Sequence, residues 1–332
     1  MALRPPPWAL PSSLTVVVCA YTTERWALLS SCIAALVEQD PQPGQIVLVI
    51  DHNDELLRQS TTAFAPNAGV EVVANNGRRG LSGARNTGVR AAHGDIVAFI
   101  DDDAAPHPGW SKRLIEAYDG STAGVGGTAR AAWESSAPRW FPSEFLWVVG
   151  CTWTGLPTSR ARVRNFIGAN MSLRRDVLRE VGGFRDGIGR VGRNPVGCEE
   201  TEICIRVTQT WPSSTLVLEP DLIVEHSVPA HRASIGYFVR RCWAEGTSKA
   251  LVSRSVGRHD GLSEERAHAL KVLPRGFMRG LGDACRGDAY GVARAAALVL
   301  GLSITTAGFI VGSVRSTELA DLSKPTLQTV TG

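Results

Sequence analysis

The run "DIVAFIDDD" carries three consecutive acids, Asp101, Asp102 and Asp103, directly after an apolar stretch that predicts a buried strand. Neighbouring carboxylates repel one another by roughly 1 kcal/mol or more when they are partly buried. A divalent cation between them would offset that cost, because hard oxygen ligands suit Mg²⁺ and Mn²⁺, which in turn hold phosphate oxygens. The triplet therefore predicts an anchor for a diphosphate. The alternative is three solvated acids that cap the next helix.

A second acidic cluster, "CEETE", contains Glu199, Glu200 and Glu202 and begins a segment of helical period. Negative side chains at that position stabilise the positive end of a helix dipole, which explains the acids without any chemistry. The other interpretation makes one of them a general base that removes a proton from a substrate hydroxyl. The residues alone leave both interpretations open.

Strands and helices alternate four times in the first part of the chain. The apolar strand patterns lie at 14–20, 45–51, 70–75 and 95–101, and the helical patterns at 25–39, 54–64, 83–94 and 108–118. This alternation predicts an α/β fold with a mostly parallel central sheet flanked by helices. Such sheets bind ligands at the carboxyl ends of their strands, so we expect Asp51 and the triplet at 101–103 to face one crevice.

The pattern is less regular after residue 120. We predict a strand at 123–133, a strand, turn and helix at 168–184, a helix at 197–211 and a pair of short strands at 214–228. The segment 133–155 is rich in Trp, Phe and Pro and has no clean period. It either lines an acceptor pocket or forms an irregular, well-packed connection.

Composition narrows the class of protein. The 332 residues have a formal net charge of only +3, which argues against nucleic acid as the main partner. The seven cysteines are scattered and none forms a C-x-x-C pair, so we expect reduced thiols in a cytoplasmic protein rather than a disulfide framework or a zinc site.

The two ends of the chain differ in character. Residues 1–13 contain three consecutive prolines and no long apolar run, and we expect a flexible lead. Residues 295–314 carry no charge and are long enough to cross a bilayer as a helix. The same segment is also compatible with a buried helix on the main domain, or with a helix that lies in the membrane surface beside the basic stretch preceding it.

Five motifs in order make residues 14–250 similar to family-2 glycosyltransferases with the GT-A fold. They are "VVVCAYTTER", "VLVIDHND", "GLSGARNTGVRAAHGDIVAFIDDDA", "FIGANMSLRRDVLREVGGF" and "CEETEICIR". The resemblance implies a nucleotide-sugar-binding half at 14–119 and an acceptor half at 120–250. A helical C-terminal extension, 251–332, would follow.

The resemblance also implies a role for individual residues. Donor-binding positions would be Ala20, Tyr21, Asp51, Arg85, Asp101, Asp102 and Asp103, and acceptor-binding positions would be Gly168, Ala169 and Asn170. The implied metal ligands for Mn²⁺ or Mg²⁺ are Asp103, Asp101 and His226. The alternative for His226 is a partly buried structural imidazole.

The implied reaction is inverting transfer of a hexosyl group from a nucleoside-diphosphate donor, expected to be a UDP-sugar, to a saccharide hydroxyl. Glu200, next to Glu199, would be the general base. Family members usually carry Glu-Asp at this pair, so the second position here is one methylene longer.

The run "HSVPAHRASIGYFVRRCWAEGTSKA" resembles a subset that acts on lipid-linked or cell-surface saccharides, including glucuronosyltransferases that use polyprenyl-linked sugar. Arg240, Arg241 and Lys249 would then bind a diphosphate, unless they form a solvated basic helix face. This subset implies a cytoplasmic location at the inner face of the membrane.

Two other functions are compatible with part of this pattern. A nucleotidyltransferase also combines an α/β sheet with acidic metal ligands, but it carries a glycine-rich loop with Lys or Arg after the first strand, where this chain has "AYTTERW". A non-catalytic saccharide-binding relative is disfavoured because both acidic clusters are intact.

Overall fold

The computed structural model describes residues 8–64, 69–190, 197–257 and 261–315. Residues 1–7 of the predicted lead and 316–332 of the predicted extension lie outside these ranges. Within them, Trp8 makes an edge contact with Trp211, with ring centroids 6.2 Å apart, and the backbone amides of Ser12 and Ser13 donate to the Asp95 carboxylate. Contacts with the domain thus begin before the first strand.

The first half of the chain forms the parallel part of the central sheet. Its strands are β1 (Leu14–Ala20), β2 (Gln45–Ile50), β3 (Val70–Ala74) and β4 (Ile96–Asp101), in the spatial order β3-β2-β1-β4. The helices of this half are α1 (Trp26–Val37), α2 (Asp54–Phe64), α3 (Leu81–Ala91) and α4 (Trp110–Glu116). The predicted alternation is confirmed, because each strand is a continuous apolar run that needs cover on both faces.

Beyond β4 the sheet becomes mixed. The added strands are β5 (Ala104–Pro106), β6 (Thr122–Trp133), β7 (Ala161–Arg162), β8 (Asn170–Arg174) and β9 (Thr215–Val228). β8 pairs antiparallel with β4 and β6, and β9 runs parallel to β6. The full order is β3-β2-β1-β4-β8-β6-β9-β5, with β7 on β9. The carboxyl ends of β1, β2 and β4 share one edge, as expected.

Residues 214–228 do not form the predicted pair of short strands, because β9 is one long strand. It stays beside β6, but its register shifts where Gly127 faces Glu219 and Thr128 faces Ile223. Pro220 lies in the resulting bulge, where a residue without a backbone N–H breaks no ladder hydrogen bond. The proline is typical of a turn, yet pairing with β6 on both sides of it keeps the chain extended.

Apolar side chains pack on both faces of the sheet. Val16 and Val18 of β1 belong to one core cluster, and Val17 belongs to the other, which contains residues of α3. Gly88 of α3 permits the close approach, since a Cβ there would lie 2.3 Å from Val17 Cγ1. The glycine of the "ARNTG" motif thus brings α3, and with it Arg85, against the sheet.

The remaining helices form a C-terminal layer. They are α5 (Arg175–Glu180), α6 (Glu199–Thr210), α7 (Ile235–Val256), α8 (Ser263–Ala267), a π-helical turn (His268–Val272), α9 (Leu273–Cys285) and α10 (Tyr290–Arg315). The segment 133–155 contains a 3₁₀ helix, Ser143–Val149, which packs with Phe238 of α7 and Leu298 of α10 in a third apolar cluster. This packing joins the layer to the domain.

Helix α10 contacts α7 backbone to backbone. A Cβ at Gly246 would lie 2.1 Å from the Thr305 carbonyl oxygen, and a Cβ at Gly308 would lie 2.5 Å from the Trp243 carbonyl oxygen. No larger residue fits at either glycine without moving one helix. The predicted apolar segment is therefore packed on one of its faces.

The other face of α10 is apolar and exposed. Val299 is 53% exposed and Ile310 is 58% exposed. Among the described residues, Tyr290–Val314 is the one helix long and apolar enough to cross a membrane. The segment thus combines a buried face with an apolar surface.

Candidate functional site

A cavity of about 660 Å³ opens at the edge where β1, β2 and β4 end. One wall comes from the strand ends and α3, and another comes from the first turn of α6 and the C-terminal helices. All but one of the expected site residues line this cavity. They are Ala20, Tyr21, Asp51, Arg85, Asp101, Asp102, Asp103, Gly168, Ala169, Glu199, Glu200 and His226.

Asn170 is the expected site residue that does not line the cavity. Its side-chain oxygen accepts a hydrogen bond from Trp110 Nε1 at 3.0 Å, and its amide nitrogen donates to the carbonyl oxygens of Thr128 and Leu222. These bonds use its polar atoms to tie β8 to α4, β6 and β9. The neighbouring Gly168 and Ala169 do reach the cavity, and their contact with an acceptor stays a prediction.

The Asp51 carboxylate holds the loop that precedes α3. Oδ2 accepts from the backbone amide of Gly80 at 2.9 Å, and Oδ1 accepts from Asn75 Nδ2 at 2.7 Å. His52 Nδ1 also lies 2.9 Å from Oδ1. Asp51 therefore shapes the cavity edge through its neighbours, and its expected contact with a nucleotide base stays a prediction.

Two acids of the triplet, Asp102 and Asp103, are buried and paired with Arg25. Arg25 Nη1 lies 2.7 Å from Asp102 Oδ1 and 2.9 Å from Asp103 Oδ2. Asp102 and Asp103 are 3% and 5% exposed, whereas the side chain of Asp101 is 33% exposed. The alternative of three solvated helix-capping acids is therefore wrong for Asp102 and Asp103.

His226 lies beside the triplet on the neighbouring strand β9, where it pairs with Ala104 of β5. Its Nε2 lies 3.3 Å from Asp103 Oδ1, close enough for an ion pair when the imidazole is protonated. The two atoms are not aligned as a hydrogen bond. Its Nδ1 lies 3.5 Å from the Cys151 sulfur, and Gly150 packs directly on the ring. The imidazole is 3% exposed and therefore held in one place.

Asp102 and Asp103 have very different pKa values, because both are buried and their charges repel one another. Burial, together with the charges of Asp103 and Asp101, raises the pKa of Asp102 to about 8 although Arg25 opposes it. Burial also acts to raise the pKa of Asp103, but His226 and Arg25 outweigh it and hold that pKa well below its usual range. Asp103 therefore stays negatively charged to a lower pH than Asp102.

Three of these side chains could hold a metal ion. Asp101, Asp103 and His226 each offer one ligand atom, and these atoms lie within 4.8 Å of one another. Buried oxygens Oδ2 of Asp102 and Oδ1 of Asp103 have no hydrogen-bond partner among the described residues. The two carboxylates suit Mn²⁺ or Mg²⁺, and the imidazole favours the softer Mn²⁺ over Mg²⁺, so the donor set fits Mn²⁺ best.

Arg85 connects the triplet with the second acidic cluster. Its Nη1 lies 2.9 Å from Glu199 Oε1, and its Nη2 donates to the Gly168 carbonyl oxygen at 3.0 Å and lies 3.5 Å from Asp101 Oδ1. Burial acts to lower the pKa of Arg85, but Glu199 and Asp101 outweigh it and raise that pKa. The side chain is 2% exposed, so this ion pair is a core interaction.

The three acids of "CEETE" have different environments. Glu199 is paired with Arg85, and Glu202 is fully buried between Arg206 and Arg185, which makes Glu202 structural. Glu200 lines the cavity and accepts a hydrogen bond from the Thr201 hydroxyl at 3.1 Å. Burial, followed by the charge of Glu199, raises the pKa of Glu200 to about 7.

A buried charge network beside Glu200 includes residues that sequence reasoning did not assign. Lys249 Nζ lies 2.7 Å from Glu265 Oε1, and Arg164 contacts both carboxylate oxygens of Glu265 at 2.7 Å. Lys249 also lies 3.6 Å from Glu245. Because Glu265 belongs to the extension, no local pattern could have placed it here.

The basic residues noted at 240–249 therefore differ in their surroundings. Lys249 and Arg241 both line the cavity, and each lies near Glu245, at 3.6 Å in both cases. Arg240 is exposed and does not line the cavity. The expected diphosphate contact of all three stays a prediction.

Comparisons with known proteins agree with this geometry. The family model described as "Glycosyl transferase family 2" matches residues 15–182. The glucosyl-dolichyl phosphate glucuronosyltransferase of Haloferax volcanii is 33% identical over 241 residues, which is 72% of this chain and 77% of that protein. The succinoglycan biosynthesis protein ExoM of Rhizobium meliloti is 26% identical over 264 residues, 78% and 77% of the two chains.

A solved structure has a similar fold. The mannosyltransferase PcManGT from Pyrobaculum calidifontis, in complex with GDP-Man and Mn²⁺, superposes with a TM-score of 0.59. The match covers 95% of this chain and 90% of that chain at 18% identity. At this identity the likeness concerns the fold alone.

We expect Arg85→Met to lower the free energy of unfolding by about 3–5 kcal/mol, because it leaves the Glu199 carboxylate buried and unpaired. The measurement is urea unfolding at neutral pH. The matched control is Arg130→Met, which removes an exposed pair with Glu225 at 3.1 Å and should cost less than about 1 kcal/mol. Equal losses in the two variants would contradict the structural role of Arg85.

Proposed function

The chain belongs to glycosyl transferase family 2, and from this membership we propose that it transfers a hexosyl group from a nucleoside-diphosphate donor to a saccharide hydroxyl, with inversion and with a divalent metal. Its sheet and helices have the GT-A architecture. The observation that carries the proposal is the meeting of Asp101, Asp103 and His226 in a cavity that also contains Glu200.

The donor would lie along the carboxyl ends of β1, β2 and β4. Ala20 and Tyr21 line that part of the cavity, and Asp51 fixes the adjoining loop, so these residues are suited to contact the base and ribose. We propose a UDP-sugar as the donor on the strength of the family resemblance. The PcManGT structure was solved with GDP-Man, which makes GDP-sugars the alternative to test.

Asp101, Asp103 and His226 would hold Mn²⁺ or Mg²⁺. A cation bound there would neutralise charge on the departing nucleoside diphosphate. Arg232 Nη2 lies 3.7 Å from Asp103 and, with Arg25, adds positive charge on the same side of the cavity. Arg25 and Arg232 would orient the diphosphate and exclude water from it.

Glu200 would remove the proton of the acceptor hydroxyl. A base with a pKa near 7 is suited to this task at neutral pH. Both glutamates line the cavity, but Glu199 is engaged by Arg85, so we assign the role of base to Glu200. Attack from the side opposite to the diphosphate inverts the anomeric centre in one displacement.

The acceptor would be a saccharide attached to a lipid. The Haloferax relative is named for glucosyl-dolichyl phosphate, and the cavity here extends between the 3₁₀ helix and the C-terminal helices. Apolar side chains line this extension, among them Phe145, Val149, Leu273 and Leu302. Lys271 and Arg275 line it too, and they provide positive charge for a lipid phosphate.

We place the enzyme at the cytoplasmic face of the membrane. The exposed apolar face of α10 and the exposed Met278 and Leu270 lie on the same C-terminal layer that lines the acceptor end of the cavity. A helix with such a face can bind the interfacial region of a bilayer, because its apolar side chains become buried among the lipids. This arrangement would let a lipid-linked acceptor enter from the membrane.

To test the reaction, the protein is incubated with a panel of UDP- and GDP-sugars and Mn²⁺, and released nucleoside diphosphate is measured. We expect one donor to release its nucleoside diphosphate. Asp103→Asn should lower the rate of this release at least about 100-fold, because the substitution alters a proposed metal ligand. The matched control, Asp221→Asn on an exposed position of β9, should be unaffected. Pyrophosphate release from a nucleoside triphosphate and a sugar phosphate would favour a nucleotidyltransferase instead.

Glu200→Gln should reduce transfer by about 10²–10⁴-fold while donor affinity is retained. Since the base works only when ionised, the wild-type rate should rise with pH up to about 7 and level off above it. The measurements are the pH profile of turnover and thermal protection by the donor. Glu264→Gln, which changes another cavity-lining carboxylate, is the control. A Glu200→Gln variant that turns over normally would refute the assignment.

The membrane contact predicts that Val299→Glu combined with Ile310→Glu abolishes most co-sedimentation with phosphatidylglycerol vesicles. Each change removes about 1.5–3 kcal/mol of apolar burial, so partitioning should fall more than about 10-fold. Leu10→Glu, at an exposed apolar residue outside the C-terminal layer, serves as the control. Unchanged sedimentation of the double variant would remove α10 as the contact surface.

A further inference from the structure

Arg25 reaches from the end of β1 across the cavity to the acids that follow β4. It ends a short 3₁₀ helix, Thr23–Arg25, and its guanidinium lies 5.0 Å from the centre of the Tyr21 ring. Nη1 makes both carboxylate contacts, to Asp102 at 2.7 Å and to Asp103 at 2.9 Å. The side chain is 19% exposed, so one side of the guanidinium faces the cavity.

Arg25 pairs with Asp103, which is one of the three proposed metal ligands, and with the adjacent Asp102, so the guanidinium and a metal ion would draw on the same local negative charge. Arg25 and Arg232 lie against Asp102 and Asp103 and offset most of the negative charge of the triplet, and His226 lies 3.3 Å from Asp103 Oδ1. A divalent cation added to this arrangement would leave an excess of positive charge in a buried site, which is costly. A cation can therefore enter readily only if Arg25 leaves the carboxylates or if an anion enters at the same time.

We propose that Arg25 is a displaceable counter-ion, which pairs with Asp102 and Asp103 until the cation binds and then turns its guanidinium to the donor's diphosphate. The inference rests on the proposed function, because it takes a nucleoside diphosphate as the ligand. The planar fork of an arginine suits phosphate oxygens. Within the described part of the chain, the carboxylate contacts of Arg25 are made through Nη1, so its other N–H groups can bind a phosphate.

Cation and diphosphate then bind cooperatively, and Arg25 is the source of the coupling. With cation alone, the displaced guanidinium has lost two carboxylates and gained nothing. With the diphosphate present, it regains a partner of the same charge. By linkage, the diphosphate must raise the affinity for the cation by the same factor as the cation raises the affinity for the diphosphate.

The test compares wild type with Arg25→Ala. Binding of Mn²⁺ alone is measured by electron paramagnetic resonance, and binding of UDP, with GDP in a parallel titration, is measured by calorimetry in excess Mn²⁺ with protein-free blanks. We expect Arg25→Ala to bind Mn²⁺ alone about 10-fold more tightly and the nucleotide about 10-fold more weakly. These opposite signs would not follow from a general loss of structure.

Two further variants complete the design. Arg25→Lys keeps the charge but not the planar fork, and its two affinities should lie between those of wild type and Arg25→Ala. Arg113→Ala, at an exposed arginine of α4 that does not line the cavity, should leave both unchanged. Thermal melts of all four proteins check that they are folded.

The outcomes separate the inference from the proposed function. If wild type binds Mn²⁺ with a nucleotide but Arg25→Ala binds Mn²⁺ no more tightly, the inference is overturned and the proposed function stands. It is also overturned if Arg25→Ala keeps full nucleotide affinity, because the guanidinium then never reaches the diphosphate. If no variant binds Mn²⁺ with or without nucleotide, the metal-dependent function fails and the inference fails with it.

Discussion

The ion pair between Arg85 and Glu199 is the interaction on which the geometry of the site depends. One guanidinium on α3 contacts the first turn of α6, the Gly168 carbonyl and the edge of the acid triplet. These groups are far apart in the chain and come from different elements. Because the pair is buried, no water can replace a lost partner of either charge. The pair therefore narrowly defines the position of the acid triplet relative to the first turn of α6.

The C-terminal layer contributes charge to the site as well as apolar cover. Glu265, on α8, lies between Lys249 and Arg164, and the pKa of Glu265 falls to about 2 because these two cations outweigh its burial. Lys249 in turn lies 3.5 Å from the hydroxyl of Thr201, the neighbour of Glu200. The surroundings of the proposed base therefore include a part of the chain beyond the region that the family model matches.

Sequence patterns were sufficient for the parallel half of the fold. Continuous β-branched runs placed β1 to β4 within a residue or two, and their order placed Asp51 and Asp101–Asp103 at one edge. The patterns failed where a partner strand overrides a local preference, as at Pro220 in β9. Asn170 follows the family motif, yet its side chain is used entirely within the fold.

Arg25 and Glu265 could not be identified from the sequence for a different reason. Their contacts join positions 78 and 101 residues apart, and neither residue lies in a pattern that predicts a long-range partner. The donor, the acceptor and the base are proposed from the family resemblance. The geometry of the cavity is compatible with these proposals.

The glycine contacts between α7 and α10 have a mechanical consequence. At Gly246 and Gly308 the backbones of the two helices touch, so no side chain at these two points can absorb a change in the angle between the helices. The pair must tilt as a unit, and Lys249 lies one turn beyond Gly246 on α7. A lipid surface that sets the inclination of α10 would thereby also set the distance between this lysine and the first turn of α6, so that anchoring and catalytic alignment become one event.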